Sequence, residues 1–323
     1  MASGKLSGKS LRENVLNLLE RRREEVLVGA NLGGDCASMR MEGDFVVHTD
    51  PITGATKEIG SLAVKVVLND ISAGFGEPVA ILLTLLLPEN MDESDVKEIM
   101  LDAEKEAKKW DAEIVGGHTE FTDAVTRPIV NAVGVGKRTS SYKPYQVKAG
   151  DSVIMTKQIA LEGSLILADT YAEKLDLSKE EKEEIKTYSA LTSVATEAKI
   201  VRISGISAVM HDVTEGGIFG AIAEISEILG VGIEVDTSLI PVSELSLKIS
   251  NKLGINPYKL ISSGSMIIIT SNADELKNQI EAEGIKATVI GSVISERGTY
   301  AIIDGKKKKI IAEPDELFRK YGE

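Results

Sequence analysis

The sequence predicts an α+β protein built from two domains of similar size. Its 323 residues are enough for two domains at roughly 150 residues each. Strand-like and helix-like segments interleave, but without the regular strand–helix alternation of a doubly wound sheet. A polar, turn-rich stretch at residues 142–151 lies near the middle of the chain. We therefore expect domains at residues 1–148 and 149–323.

Apolar periodicity defines the elements of the first half. Apolar residues recur at helical spacing in residues 10–25, which predicts a helix whose solvated end holds the arginines at 21–23. Acids open and lysines close the segment 92–110, as in an amphipathic helix. The predicted set comprises helices over 10–25, 59–73 and 92–110 and strands over 45–49, 79–87, 113–115 and 129–135, with a loop over 116–128.

The second half continues with the same mixture of elements. A pair of glycines opens a helical pattern at 214–229, and isoleucine pairs flank four lysines at 306–309. The lysine segment is typical of a hairpin turn. The other predicted elements are strands over 152–156, 265–270 and 287–293 and helices over 177–186 and 273–283.

Composition argues against several classes of function. The net charge is −13, and the aromatic residues are one Trp, seven Tyr and five Phe. Neither a basic surface for phosphate backbones nor a platform for base stacking is expected, so nucleic acid is not an expected partner. The single cysteine, Cys36, permits no disulfide within the chain. The strongest apolar run, 79–87, is far shorter than the ~20 residues of a membrane span, and no signal-peptide pattern opens the sequence, so we expect a cytoplasmic protein.

Five short segments join glycines to acids or hydroxyls at the predicted ends or interiors of elements. All three histidines and the cysteine fall within these segments. Hard oxygen ligands gathered from several such places suit Mg²⁺, and glycine-rich turns and helix starts offer N–H groups to phosphate. No Walker-type phosphate loop is present. The segments are residues 33–36, 48–51, 69–70, 116–120 and 211–217.

Each segment also has a purely structural interpretation. Asp35 could close a turn, and Asp212 or Thr214 could cap a helix. His48 could be a hydrogen-bonded core imidazole, and Cys36 is expected to be a small buried side chain. Asp70 is harder to explain in this way, because its carboxylate lies in an apolar helix and needs a cation or strong donors there.

The five segments, taken in order, resemble the PurM or AIR-synthase-related ATP-binding superfamily. The resemblance rests on Gly34-Asp35, Thr49-Asp50-Pro51, the stretch 62–76 with Asn69-Asp70, Gly116–Glu120 and His211–Gly217. The sequence is most similar to the hydrogenase-maturation (HypE) branch of that superfamily. The resemblance implies an N-terminal domain that dimerises through its sheet and a C-terminal α+β domain. It also implies ATP and Mg²⁺ as cofactors.

The resemblance assigns roles to residues of this sequence. Asp35, Asp50 and Asp70 would hold Mg²⁺, and Asn69, Gly117 and Thr119 would contact the nucleotide or its metal. His118 would transfer a proton, because its reference pKa lies near 6.5. The remaining expected site residues are Glu120, Asp212 and Glu215 in catalysis and Thr214, Gly216 and Gly217 at the phosphate or the acceptor.

Departures from the family pattern bear on the reaction. The sequence has no terminal cysteine, so a thiocarbamate carried there is not expected. Cys36, Ser61 and His118 stand where many relatives carry an acid, a lysine and an acid. We therefore expect an unidentified small acceptor, an amide, carboxylate or thiocarbamate whose oxygen is activated by phosphorylation.

Two other functions remain open on the sequence alone. One is a nucleotide-binding maturation or scaffold protein without turnover, which would act on a maturation-protein partner. The other is a transition-metal hydrolase in which Cys36, His48, His118 and His211 form a zinc or manganese site.

Overall fold

The computed structural model describes residues 4–53, 58–138 and 142–321. The chain forms two compact units, Met1–Tyr142 and Lys143–Glu323. Each unit combines helices with a sheet, which confirms the predicted α+β class. The junction lies at the start of the polar stretch 142–151, while the boundary at residues 148–149 stays a prediction. None of the helices in the described ranges has the length and apolar character needed to cross a membrane.

The first unit is built on a five-stranded sheet. Its strand order is β1-β6-β5-β7-β4, and only the pair of β5 and β6 is parallel. A separate hairpin joins β2 and β3. The elements are β1 (Gly4–Lys5), α1 (Gly8–Asn14), β2 (Val26–Val28), β3 (Ser38–Met39), β4 (Phe45–Ile52), α2 (Ile59–Ala73), β5 (Gly76–Leu87), α3 (Glu93–Lys109), β6 (Glu113–Phe121) and β7 (Ile129–Arg138).

Helix α2 covers one face of this sheet. It contacts β4, β5 and β7, and it packs against α3. Val67 and Leu68 of α2 and Leu83 and Leu85 of β5 are buried at 2% exposure or less. Side chains of β4 alternate in burial along the strand, because successive residues of a strand point to opposite faces. This alternation decides which polar side chains of β4 meet the helix.

The predicted helix over 10–25 is only partly correct. Helix α1 ends at Asn14, a short 3₁₀ turn follows at Leu16–Leu18, and residues 20–25 leave the helix. The backbone N–H groups of Arg22 and Arg23 donate to Glu113 Oε2 at 3.0 and 3.2 Å. These bonds to a distant strand replace helical ones, which apolar spacing does not reveal.

The prediction of a solvated arginine end holds for Arg21, whose side chain is 56% exposed, but not for the next two arginines. Arg22 pairs with Glu104, and the side chains of Arg22 and Arg23 are only 11% and 8% exposed. Arg23 Nη2 lies 2.8 Å from Glu25 Oε1, and Glu25 also pairs with Lys137 of β7. Ion pairs between this segment and charged residues of the first unit therefore attach it to the five-stranded sheet.

Strand β6 is longer than predicted. The expected loop at 116–128 begins only after Phe121, so the Gly-Gly-His-Thr-Glu segment lies within the strand. Two adjacent glycines have low strand propensity, which is why the pattern indicated a loop. Pairing with β5, with Leu83 opposite Gly117 and Thr84 opposite His118, overrides that local preference.

The second unit is built on a seven-stranded sheet of order β14-β13-β10-β12-β8-β11-β9. Helix α8 contacts β9, β10 and β13, and α10 packs against β8, β12 and α7. Its elements are β8 (Ser152–Thr156), α4 (Leu161–Thr170), α5 (Ala172–Leu175), α6 (Lys179–Leu191), α7 (Ala195–Ser204), β9 (Val209–Asp212), α8 (Gly217–Leu229), β10 (Gly232–Asp236), α9 (Glu244–Leu253), β11 (Met266–Thr270), α10 (Ala273–Ala282), β12 (Ala287–Ile294), β13 (Gly298–Ile303), β14 (Lys306–Lys309) and α11 (Glu316–Tyr321).

Two details of the second unit differ from expectation. The helix expected from residue 214 begins at Gly217, because residues 214–217 form a turn closed by Gly217 N–H donating to Thr214 O at 3.1 Å. The hairpin at 298–309 is present, but its turn is Asp304-Gly305 and the four lysines lie on β14. Both residues of that turn have positive φ, which the lysines would adopt less readily.

The ion pairs of Glu25 stabilise the first unit. Burial alone would raise the pKa of Glu25, but hydrogen bonds from Arg23 and Lys137 outweigh it and lower the pKa to about 2. Because this pKa lies below that of the unfolded chain, the stabilisation is present above pH 4.5 and is lost as pH falls towards 2. We expect Glu25→Gln to lower the free energy of unfolding at pH 7 by roughly 3 kcal/mol, measured by urea unfolding.

The exposed neighbour Glu24 provides a matched control. Glu24→Gln should leave the unfolding free energy unchanged within about 0.5 kcal/mol. The difference in unfolding free energy between Glu25→Gln and the unsubstituted chain should decrease as the pH falls from 5 to 2. Equal stability of the two proteins at pH 7 would show that the ion pairs contribute nothing net.

Candidate functional site

Strand β4 and helix α2 bring three metal-ligating side chains together. His48 and Asp50 are two residues apart on β4, so both point to the face covered by α2. Asp70 projects from α2 towards them. His48 Nε2 lies 3.0 Å from Asp50 Oδ2 and 3.6 Å from Asp70 Oδ2. The Asp70 side chain is 28% exposed, so the expectation of a carboxylate enclosed by an apolar helix is only partly correct.

These three side chains are accessible to a ligand. The side chains of His48, Asp50 and Asp70 are 42%, 32% and 28% exposed. One ligand atom from each lies within 4.8 Å of the others. Within the described ranges, no other group of three or more His, Cys, Asp or Glu side chains meets that criterion. Two carboxylates and an imidazole at such distances suit a divalent cation.

The predicted metal set is only partly brought together. Asp50 and Asp70 converge, but Asp35 is outside the group and lies in an exposed turn. Asn69, next to Asp70, is 1% exposed and faces the interior. His48 was considered as a core imidazole, yet it is part of the group. The two-residue spacing of His48 and Asp50 on a predicted strand is the signal that indicates their common face.

A second polar region of the first unit surrounds a cavity of about 540 Å³. Asp35, Cys36, His118 and Thr119 line it, together with residues of the N-terminal segment and β5. Cys36 is exposed, so the expectation of a buried thiol is wrong. Residues 29–37, which include Cys36, form an irregular connection after β2 and do not pack into the core. The segment is short and holds few apolar residues, so its sequence could not indicate this path.

His118 and Glu120 form a pair on the cavity side of β6. His118 Nε2 lies 2.9 Å from Glu120 Oε2, again through the two-residue spacing of a strand. Both side chains are about one-third exposed, at 36% and 32%. The Glu120 carboxylate fixes the orientation of the His118 imidazole through Nε2, and Nδ1 takes no part in this contact. The pair is therefore suited to move a proton.

Gly117 has a structural reason to be glycine. Its φ is +152°, and a Cβ at this position would lie 1.8 Å from the carbonyl oxygen of Leu83. The close approach of β5 and β6 accounts for this residue without a ligand. Its predicted nucleotide contact stays a prediction.

In the second unit, the segment between β9 and α8 is tightly bonded. Asp212 ends β9 at 4% exposure. His211 Nδ1 lies 2.6 Å from the carbonyl oxygen of Asp212, and His211 Nε2 lies 3.7 Å from Glu224. Helix α8 starts from Gly216 without a side-chain cap, so neither Asp212 nor Thr214 is its N-cap.

Asp315 is a residue of this region that sequence analysis missed. Its Oδ2 accepts the N–H of Gly216 at 2.7 Å, and its Oδ1 accepts the N–H of Leu317 at 2.8 Å. Burial at 3% exposure raises its pKa to about 6, although these two N–H groups act in the opposite direction. The N–H of Gly216, predicted to bind phosphate, is therefore engaged by a carboxylate. No local pattern identifies a partner 99 residues away.

Gly217 is fixed by close packing. Its φ is +61°, and a Cβ would lie 2.7 Å from Tyr258 O and 2.8 Å from Leu260 N. The predicted roles of Gly217, Thr214 and Glu215 at a phosphate or acceptor stay predictions.

Within the first unit, the three residues of the predicted transition-metal hydrolase, Cys36, His48 and His118, do not form one centre. Cys36 and His118 are both outside the His48 group. Cys36 and His118 line the cavity of the first unit, whereas His211 belongs to the second unit. This ligand set was wrong, because the spacing of isolated residues in a sequence does not show which strand faces they occupy.

Comparison with known proteins gives both units a family. Residues 33–137 match the description "AIR synthase related protein, N-terminal domain", and residues 148–304 match the corresponding C-terminal domain. Among curated relatives, a hydrogenase expression/formation protein of Methanocaldococcus jannaschii is 26% identical over 84% of this chain and 82% of its own length. A selenide, water dikinase of Treponema denticola is 26% identical, with 81% and 73% covered. Carbamoyl dehydratase HypE of Cupriavidus necator is 25% identical, with 82% and 78% covered.

Solved structures show the same fold. Hydrogenase-maturation protein HypE of Escherichia coli superimposes with a TM-score of 0.81 at 20% identity, covering 95% of this chain and 97% of that one. A HypE structure in complex with ATP gives 0.80 at 19% identity, covering 98% of both chains. A HypE–HypF complex gives 0.71 at 21% identity, with 85% and 92% covered. The chain therefore belongs to the AIR-synthase-related protein family, whose N-terminal and C-terminal domains its two units contain.

Proposed function

We propose that the protein is a Mg²⁺- and ATP-dependent enzyme that activates a carbonyl-type oxygen of a small amide, carboxylate or thiocarbamate acceptor by phosphorylation. The observation that carries the proposal is the convergence of Asp50 and Asp70 from β4 and α2. The HypE relatives and the HypE–ATP complex support a HypE-like, ATP-dependent activity. The acceptor is proposed by class only.

Asp50 and Asp70 are the proposed ligands of Mg²⁺-ATP. Carboxylate oxygens are the ligands Mg²⁺ prefers, so these two side chains would hold the ion, with water and phosphate oxygens as its other ligands. When bound, the ion neutralises charge on the phosphates during transfer. Asn69 is 1% exposed beside Asp70, and its contact with the metal or a phosphate stays a prediction.

His118 and Glu120 are the proposed proton-transfer pair. Glu120 holds the imidazole by the 2.9 Å contact, so the ring is oriented before an acceptor arrives. For an amide or thiocarbamate acceptor, His118 would remove the N–H proton as the carbonyl oxygen attacks the γ-phosphorus and the bond to the leaving ADP breaks. From the second unit, Asp212 and Glu215 are proposed to approach the acceptor.

Asp70→Asn tests the proposed nucleotide site. The substitution keeps the size of the side chain and removes its negative charge. We expect the affinity for ATP in the presence of Mg²⁺ to fall at least about tenfold, which is 1.4 kcal/mol, measured by isothermal titration calorimetry. Asp123→Asn, an exposed change in the first unit, should bind as the unsubstituted chain does. Undiminished binding by Asp70→Asn would refute the assignment.

His118→Asn separates catalysis from binding. We expect ATP affinity to stay within about twofold, while release of inorganic phosphate from ATP falls about 10²-fold, the usual range for loss of a general acid or base. Glu120→Gln should show a smaller loss of turnover, because it disturbs the orientation of the ring. Unchanged phosphate release by His118→Asn would remove the residue from the mechanism.

We also propose that the protein is a homodimer formed through the sheet of its first unit. Phe45 and Val47 of β4 are 62% and 55% exposed on the face opposite α2, and apolar side chains on a sheet face are typical of an interface. Val47→Lys should shift the mass measured by light scattering from dimer to monomer. A monomer in the unsubstituted chain would refute the proposal.

We also propose a maturation-protein partner, which the similarity to the HypE–HypF complex supports.

One specific observation favours the nucleotide-binding scaffold as a second candidate function, because Asp315 engages the N–H of Gly216. Calorimetric titration with ATP does not by itself distinguish the enzyme from the scaffold, because both bind the nucleotide. The phosphate-release assay is needed as well. ATP binding without any turnover on candidate acceptors would favour the scaffold.

A further inference from the structure

The connection between β14 and α11 lies across the start of helix α8. Residues 311–314 of this connection are exposed and have no regular structure, whereas Asp315 is only 3% exposed. A Cβ on Gly216, the residue from which α8 starts, would lie 3.4 Å from the carbonyl oxygen of Glu313. The backbone of the connection therefore rests on the beginning of the helix, and we call residues 313–315 the strap.

The strap places two carboxylates on two donors of the second unit. Asp315 Oδ2 accepts the N–H of Gly216 at 2.7 Å, and Glu313 Oε1 lies 2.7 Å from Lys259 Nζ. Lys259 ends the 3₁₀ turn Pro257–Lys259, which packs against α8. Because two residues of chain span at most about 7 Å, both donors lie beside one short stretch of the strap.

The groups under the strap are those that bind an oxyanion. Helix α8 has 13 residues, so its dipole places partial positive charge near Gly216. The backbone of Ile261 also hydrogen-bonds the Asp315 carboxylate. These main-chain groups and the ammonium group of Lys259 belong to the body of the second unit, so they remain in place when the strap moves away.

A structural cap does not by itself require a carboxylate. Asp315 Oδ1 accepts the N–H of Leu317 at 2.8 Å and so caps the short helix α11, but a neutral Ser or Asn caps a helix equally well. Burial, with a smaller effect of the nearby Glu215, raises the pKa of Asp315 to about 6 against its main-chain hydrogen bonds. The ionised side chain is therefore held at a cost in stability, which is typical of a functional contact.

We propose that the strap is an autoinhibitory contact, in which Glu313 and Asp315 occupy the place of a phosphoryl oxyanion at Lys259 and Gly216. A phosphoryl group binds there in molecules whose strap has moved aside, so its apparent affinity is reduced in proportion to the fraction of molecules with an open strap. The inference rests on the proposed function for residues 214–217 and adds the regulation of that segment.

Calorimetric titration of inorganic phosphate into the full chain tests the strap. The double variant Glu313→Gln/Asp315→Asn removes both negative charges and keeps the sizes of the side chains. We expect its affinity for phosphate to exceed that of the unsubstituted chain at least about tenfold, and adding Lys259→Gln should abolish the gain. The control Asp274→Asn/Glu275→Gln makes the same charge change on exposed residues of α10, and its affinity should stay within about twofold because distant surface charges are screened.

Hydrogen exchange of the unsubstituted chain gives a second readout that needs no variant. Excess phosphate should speed exchange of the Leu317 N–H, because Asp315 releases that group when the strap opens. Unchanged exchange would overturn the inference.

The outcomes also separate the strap from the proposed function. A lower melting temperature of the double variant without a gain in phosphate affinity would identify a purely structural cap and overturn the inference, while ATP binding by the unsubstituted chain would leave the proposed function intact. A gain in phosphate affinity in a chain that fails to bind ATP would support the strap and refute the proposed function.

Discussion

The alternation of side chains along β4 against helix α2 is the constraint on which the candidate site depends. Because β4 is the edge strand of the sheet and α2 lies across it, every second residue of β4 faces the helix. His48 and Asp50 are on that face, and Asp70 meets them from the helix. A shift of β4 by one residue would turn Phe45 and Val47 towards α2 and expose the polar pair on the other face. Pairing of eight residues of β4 with β7 prevents that shift.

The same constraint explains the second polar pair of the first unit. Parallel pairing of β5 with β6 continues through Gly117, where the strands approach so closely that only glycine fits. That continuation places His118 and Glu120 two residues apart on one face of a regular strand. Both pairs are thus held by main-chain ladders rather than by loops. Such support is what a site needs to orient a ring before its ligand arrives.

Sequence analysis predicted features that are local to the chain. Helices α2 and α3 and strand β5 follow from apolar spacing and capping residues close to one another. The set of five polar segments led to the correct family and fold. It could not decide whether Asp35 joins Asp50 and Asp70, because that depends on the path of the irregular segment after β2.

The features that were missed depend on distant partners. The arginines at 21–23 resemble a solvated charge run until Glu104 and Glu113 are placed beside them. Asp315 resembles any acid near the end of a chain until its bond to Gly216 is seen. In each case a buried carboxylate is compensated by a donor about 80 to 100 residues away. Hydrophobic periodicity carries no information about such pairs.

The proposed function requires that β4 and α2 hold the metal that accompanies ATP. Anomalous diffraction at the manganese edge, from crystals grown with Mn²⁺ and a methylene-bridged ATP analogue, tests it most directly. We expect a peak bonded to carboxylate oxygens of both Asp50 and Asp70, at about 2.1–2.2 Å from each. A peak bound elsewhere in the first unit, for example at Asp35 or Glu120, with none between β4 and α2, would contradict it.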